Sequence, residues 1–388
     1  RIHADVLGLD EAHVALALAV VSARRTRCGA GRACCAALLS HSAALLPDDR
    51  EAWIRVARRL RASVLAHAPL LNDGLLGSDD DFAALLLALR ANSHVVLDDL
   101  SHSYPVGVGV YPAGAMLNHS CFPTAALSFA SDGRTLRLRA IVNLKPGDEV
   151  TYSYLSEPHL CSPWTERRTL LASAHFFAAE EHPKRTASEA AALSNARVPP
   201  EVVRSLEQAA RSQIVRVQAA AAQMNAEVAR PADSKLTASL HAAVDELRTL
   251  LESELEPVLH RAHWLVQDVL ASLMCAARAL DDPGQLARCA LRLIQAREEV
   301  LPLGTPQLAN MYNAYGSALA KLLRSERVPS GKRPEAAAQA VAALEAACKI
   351  RACCFGDDHP LTKATGAAHD RAVEQQQRWQ QQPSPPKL

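Results

Sequence analysis

Apolar and polar positions follow two different periods along this chain. Over residues 10–92 the apolar positions recur at helical spacing, in Val14, Leu16–Leu18 and Val21, and again in Trp53, Val56, Leu60 and Val64. Spacing of three to four residues gathers them on one face of a helix. From residue 94 to 154 the period drops to two, and Val, Tyr, Pro and Gly become frequent. Leu136, Leu138, Ala140 and Val142 alternate with Arg137, Arg139, Ile141 and Asn143, which predicts a half-buried strand. Asp132-Gly133 before it predicts a hairpin turn. Lys145-Pro146-Gly147-Asp148 predicts a second turn, Val150–Leu155 a further strand, and Ser162-Pro163 the start of a helix, with Ser as N-cap and Pro at N1. Beyond about Ala187 only helices are expected. Leu308, Met311, Tyr312, Tyr315, Leu319 and Leu322 make one apolar stripe. Leu303-Gly304-Thr305-Pro306 is echoed by Phe355-Gly356-Asp357-Asp358-His359-Pro360, each between two Ala/Leu-rich helices. Such an echo fits degenerate tetratricopeptide-like helix pairs, with an ordinary helical bundle as the other reading.

A length of 388 residues implies two or three domains. The change of period sets the boundaries: a helical region over 1–92, a strand-rich core over 93–180, a helical domain over 187–375 and a Gln- and Pro-rich tail over 376–388. With 42 basic and 41 acidic residues the net charge is +1, so no global field draws in nucleic acid or an anionic membrane. The longest apolar run, Val14 to Val21, is too short to span a bilayer, and Asp5, Asp10 and Glu11 before it are wrong for a signal leader. The ten cysteines include no C-x-x-C pair, which points to the reducing cytoplasm or nucleus. Because the first residue is Arg1, the chain is expected to begin inside a longer protein.

The sharpest chemical signal is Asn118-His119-Ser120-Cys121-Phe122-Pro123. Gly107-Val108-Gly109-Val110-Tyr111-Pro112 precedes it, and Gly147-Asp148-Glu149-Val150-Thr151-Tyr152-Ser153-Tyr154 follows after two expected strands. Arg167-Arg168-Thr169-Leu170-Leu171 then leads to Phe176-Phe177. This order and spacing resemble the second half of a SET domain. The long preceding insert and the following helices are similar to SET-and-MYND lysine methyltransferases. The resemblance covers residues 90–180 well and the later helices loosely. It implies an α+β fold: short twisted strands around a pseudoknot-like crossing, flanked by a helical insert and a C-terminal all-α, tetratricopeptide-like domain.

The same resemblance implies S-adenosylmethionine as cofactor and a protein lysine as methyl acceptor. Asn118 and His119 match cofactor-binding positions, and both carry the donors and acceptors that a purine, an amine and a carboxylate require. Asn92 matches a further cofactor contact, or else ends a helix. Phe177 matches an aromatic that lies against the adenine, or else packs in the core. Tyr154 matches the catalytic tyrosine. Tyr152 is the poorer choice, because the family has an apolar residue there.

Departures are equally specific. Family members begin with a glycine-containing cofactor strand and a zinc-binding MYND module. Cys28-Gly29-Ala30-Gly31-Arg32 reads instead as a turn between helices, and Cys28, Cys34, Cys35 and His41 lack MYND spacing. The later zinc cysteines are matched by Ala179, Glu181 and Lys184, so Cys121 is expected to hold no metal. Thr124 stands where the family has Asn. His159, Cys161 and His175 match no triad or metal motif, Glu298-Glu299 reads as a solvated helix face, and Cys348, Cys353 and Cys354 read as buried or incidental thiols. Two functions are thus expected. One is a protein-lysine methyltransferase whose C-terminal helices shape a substrate cleft and meet further protein partners. The other is a non-catalytic helical-repeat interaction protein built on a degenerate SET core.

Overall fold

The computed structural model describes residues 47–67, 76–98, 105–130, 133–175, 198–226, 234–301 and 304–381, with isolated positions at 13, 15–17, 19, 20, 38, 45 and 192. The fold is α+β, and among the described residues short strands occupy the first half and helices the second. Positions 13, 15–17, 19 and 20 are helical, and helices α1 (Pro47–His67) and α2 (Asp79–Asn92) follow. Of the expected stripe on α1, Trp53 and Leu60 are buried and Val56 and Val64 half-buried, and Ala57 joins them against Phe82, Leu86 and Leu89 of α2. Ser78 starts α2 with a reciprocal cap: its Oγ accepts the Asp81 N–H at 3.1 Å, and Asp81 Oδ2 accepts the Ser78 N–H at 2.9 Å.

Three two-stranded ladders follow. Strands β1 (Ser93–Leu97) and β2 (Pro105–Val110) pair antiparallel, and β1 turns His94 and Val96 inward. Strand β3 is only Asn118–His119, and it pairs in parallel with β6, Thr151–Tyr152. Between them in sequence, β4 (Ala125–Phe129) and β5 (Leu136–Ala140) form the expected hairpin, with Gly133 at φ +65° at its turn. Asp132 lies outside the described residues. The turn at Lys145–Asp148 also forms: Asp148 N donates to Lys145 O at 3.0 Å, and Gly147 sits at φ +95°.

Three expected elements differ in extent. The strand over Val150–Leu155 shrinks to Thr151–Tyr152, because the next backbone groups bond to side chains. Tyr154 N donates to His119 Nδ1 at 2.9 Å, and Leu155 N to Ser153 Oγ at 3.1 Å. The alternation of β5 also stops early. Its ladder ends at Ala140, Ile141 turns into a cluster with Phe355, and Val142, expected inside, is 43 % exposed. The helix expected at Ser162-Pro163 begins at Trp164, with the Pro163 carbonyl accepting from Glu166 and Arg167. It is α4 (Trp164–His175), preceded by the short α3 (Glu157–Leu160).

The α-helices described beyond α4 are α5 (Pro200–Ala226), α6 (Ser234–Leu250), α7 (Trp264–Ala279), α8 (Pro283–Val300), α9 (Pro306–Arg324), α10 (Arg333–Phe355) and α11 (Pro360–Gln381). From α7 onward each packs chiefly on its sequence neighbour, as in a stack of helix pairs. The echoed segments share one structure. Gly304 and Gly356 take φ +100° and +92°. The next helix is then capped by Thr305 Oγ1, which accepts from Leu308 N, or by His359 Nδ1, which accepts from Leu361 N. On α9 Leu308, Met311, Tyr315 and Leu319 are buried as expected, while Leu323 rather than Leu322 completes the stripe. Among the described residues, no helix is long and apolar enough to cross a membrane.

His263 caps α7 with Nδ1 accepting from Leu265 N at 3.2 Å, and it is only 1 % exposed. Burial first, and His260 second, push its imidazole down from 6.5 to about 4. The unfolded chain therefore takes up a proton that the folded one refuses. The linked stability, roughly 3 kcal/mol, is fully present above pH 6.5 and is lost as pH falls toward 4. Urea unfolding at stepped pH is expected to show this slope. His263→Asn keeps a cap acceptor and is expected to flatten it.

Candidate active site

The parallel pairing of β3 with β6 brings together two motifs that lie far apart in sequence. Asn118 stands opposite Thr151, and His119 opposite Tyr152. Thr124 staples the crossing: its N–H donates to Thr151 O at 3.1 Å, and its Oγ1 accepts from Thr151 N at 2.8 Å. The Thr124 hydroxyl is thus a backbone clamp.

His119 holds the segment that carries Tyr154. Its Nδ1 accepts the Tyr154 N–H, its ring centroid lies 5.3 Å from the Tyr154 ring, and Nε2 lies 3.3 Å from Cys121 Sγ. With Nδ1 accepting, a neutral ring carries its proton on Nε2, facing the thiol. The Tyr154 hydroxyl donates to Leu117 O at 2.7 Å, immediately before Asn118. Burial raises its phenol above the ordinary range, so the hydroxyl is protonated at neutral pH.

On its other side Tyr154 lines a cavity of about 510 Å³. His94, Phe129, Tyr152 and Glu157 line it from the strand-rich half, and Thr305 and Gln307 from the start of α9 and its cap. Tyr152 stacks on His94 with centroids 5.7 Å apart, and its hydroxyl lies 3.2 Å from His94 Nε2. Burial, and then the neighbouring Tyr154, raise the Tyr152 phenol as well. The two tyrosine rings are 5.0 Å apart, so both face one mainly apolar space with neutral hydroxyls.

Asn118 sits on the outer side of the crossing with an exposed side chain, and its Nδ2 donates to Glu149 Oε1 at 2.6 Å. Asn92 ends α2, with Nδ2 donating to Ala88 O at 2.7 Å, the helix-terminal arrangement that the sequence left open beside a cofactor role. Phe177 lies outside the described residues, as do Cys28, Cys34, Cys35, His41, Ala179, Glu181 and Lys184. Among the described residues, no group of His, Cys, Asp and Glu is placed to hold a metal.

Sequence reasoning gave no role to His94, Glu157 or Arg297. His94 carried one usable signal, its inward place on β1. Arg297 and Glu157 are buried partners from α8 and α3 joined at 2.5 Å, and nothing local in the sequence links them. His159 hydrogen-bonds Ser156 and Cys161 is buried, whereas nothing is described of the His175 side chain. Glu298 and Glu299 make surface contacts with Tyr312 and Arg261. Of the three late cysteines Cys354 is buried, Cys348 half-buried and Cys353 exposed.

The profile of the SET domain matches residues 40–155, a span that holds the whole crossing from Asn118 to Tyr154. Residues 40–155 thus match a SET domain, and part of the chain is similar to SMYD lysine methyltransferases. It is 31 % identical over 103 residues to N-lysine methyltransferase SMYD2 of Homo sapiens, covering 26 % of this chain and 22 % of that protein. It is 46 % identical over 50 residues to histone-lysine N-methyltransferase SMYD3 of Mus musculus, covering 13 % of this chain and 11 % of that one. The chain thus spans about a fifth of the SMYD2 relative that it matches. The matched SET span reaches back through α1 and α2.

Proposed function

We propose that this protein is a protein-lysine N-methyltransferase that uses S-adenosylmethionine. The observation that carries the reading is the position of Tyr154 between two faces. Its hydroxyl meets the backbone beside Asn118, and the same residue lines the mainly apolar cavity.

The residues fit the cofactor's chemistry. Asn118 with Glu149 offers acceptors outside the crossing for a cationic amine, and the Leu117 carbonyl beside the Tyr154 hydroxyl suits the rim of a sulfonium. Asn118 and the backbone around His119 would hold the cofactor, with Asn92 and Phe177 as further contacts. When bound, S-adenosylmethionine supplies an electrophilic methyl group.

The chain's own residues do the rest. A lysine of pKa about 10.4 must lose its proton first, which costs about 4–5 kcal/mol at neutral pH in water. A cavity walled by Phe129, Leu127 and Ala126 disfavours the ammonium and lowers that cost. Neutral phenols at Tyr152 and Tyr154 add no negative charge there, and the Glu157 carboxylate that also lines the cavity is paired with Arg297. The Tyr154 hydroxyl then aligns the free amine, and alignment supplies much of the rate of an in-line displacement. Its protein substrate would enter along the wall that α9 completes with Thr305 and Gln307. The cytoplasm or nucleus is the compartment that suits this reading.

Calorimetric titration of S-adenosylmethionine into the full chain tests the reading. Saturable binding is expected, and Asn118→Ala is expected to weaken it by roughly tenfold, the loss of about 1–1.5 kcal/mol of hydrogen bonding. A chain that binds no cofactor, while its helices still bind proteins, would instead be the interaction protein. Elemental analysis of protein purified without chelators is expected to find no tightly held zinc, because the positions that match the later zinc ligands are Ala179, Glu181 and Lys184. One zinc per chain would contradict that.

A further inference from the structure

Directly after Tyr154 the chain makes α3, and its first residue, Glu157, is 3 % exposed. Glu157 Oε1 accepts from Arg297 Nη1 of α8 at 2.5 Å, and the two side chains are 2 % and 6 % exposed. Arg297 is itself oriented, since its Nε donates to Gln267 Oε1 on α7 at 3.3 Å. Gln267 in turn donates through Nε2 to Ala262 O at 2.8 Å. A buried chain of bonds therefore runs from the backbone before α7, through two helical-domain side chains, to the residue three places after Tyr154.

Packing follows the same line. Cys121, Leu155, Leu160 and Leu171 share one buried cluster with Ala296 and Val300 of α8, and Tyr154 rests against it. Ion pairs this deeply buried add little net stability over apolar residues of the same size, because desolvation offsets their attraction. What such a pair does fix is geometry, through a short directional bond at a set place.

We infer that the Glu157–Arg297 pair is a positioning device, by which the C-terminal helical domain sets the place of the Tyr154 hydroxyl relative to Leu117 and the cavity. Glu157 and Arg297 are positioning residues that act through Tyr154. This inference rests on the methyltransferase reading for its catalytic consequence, but its structural half stands apart from it.

The test compares the full chain with the double variant Glu157→Leu/Arg297→Met, which removes both charges and keeps the volume. Three quantities are read: thermal stability, turnover separated into kcat and KM, and hydrogen exchange at the Tyr154 amide that His119 holds. A merely structural pair predicts that apolar replacement restores all three. Positioning predicts a folded protein whose kcat falls by about tenfold or more, as expected for sub-ångström to ångström misplacement of a reacting group, with cofactor affinity retained. The Tyr154 amide is then expected to exchange about tenfold faster. Should the double variant not fold, Arg297→Lys keeps the charge but reaches Glu157 or Gln267 and not both. It is expected to lose kcat and Tyr154 protection in part. Wild-type kcat and exchange in the folded variant overturn the inference. If the unmodified chain transfers no methyl group, the functional reading fails while the exchange measurement alone still decides the device.

Discussion

Tyr154→Phe is expected to lower methyl transfer by about a hundredfold or more while changing cofactor affinity by less than about 1 kcal/mol. The substitution removes one oxygen from a half-buried ring that is held on several sides. His119 keeps its bond to the Tyr154 backbone, and the ring still rests on the cluster of Leu155, Leu160 and Val300. The lost bond is the one to Leu117 O, on a half-buried residue whose carbonyl can take water instead. Folding and cofactor binding therefore feel one hydrogen bond, whereas turnover loses the group that aligns the amine. Steady-state methyl transfer beside calorimetry separates the two effects. Full turnover in Tyr154→Phe would remove Tyr154 from the catalytic role, and Tyr152, with its hydroxyl at His94, would be the residue to examine next.

Phe355→Ala is expected to destabilise the fold by about 3–5 kcal/mol, measured by chemical denaturation. Phe355 ends α10 and is 1 % exposed. It packs with Ala126 of β4, Cys354 and Leu361, and Ile141 closes the same cluster from the end of β5. Its ring also stacks on His359, with centroids 4.8 Å apart. This is where the β4–β5 hairpin is fastened to the helical domain, and Ala126 and Ile141 also line the cavity beside Tyr154. Phe355→Leu, which keeps most of the volume, is expected to cost less than about 1.5 kcal/mol. A loss below about 1 kcal/mol in Phe355→Ala would mean that the hairpin and α10 are not joined through this ring.

What the sequence revealed depended on whether the signal was local. Gly133 and Gly147 mark turns because their positive φ is a local demand, and both turns form. Thr305-Pro306 and His359-Pro360 mark helix starts for the same reason. The strand over Val150–Leu155 was overestimated, because apolar patterning cannot register that His119, distant in sequence, takes the Tyr154 N–H out of any ladder. Val142 was placed inside by alternation, and Phe355 of α10 drew Ile141 inward instead. At the site, the Asn118-His119 and Tyr154 segments were legible through a motif, and the β3–β6 pairing puts them side by side. Glu157 and Arg297 were not legible, since a buried pair separated by 140 positions leaves no periodic trace. His94 lay between the two cases, an inward residue on a strand whose partner Tyr152 became visible only through the fold.

The central claim is that Tyr154 serves methyl transfer to lysine across the crossing of β3 and β6. The most direct measurement incubates the full chain, and Tyr154→Phe beside it, with methyl-labelled S-adenosylmethionine and a panel of lysine-rich proteins, histones included. Labelled residues are then identified by mass spectrometry. The account predicts methyl-lysine with the unmodified chain and a roughly hundredfold smaller yield with Tyr154→Phe. A chain that binds the cofactor yet labels no lysine, or labels lysine equally well without the Tyr154 hydroxyl, would contradict it.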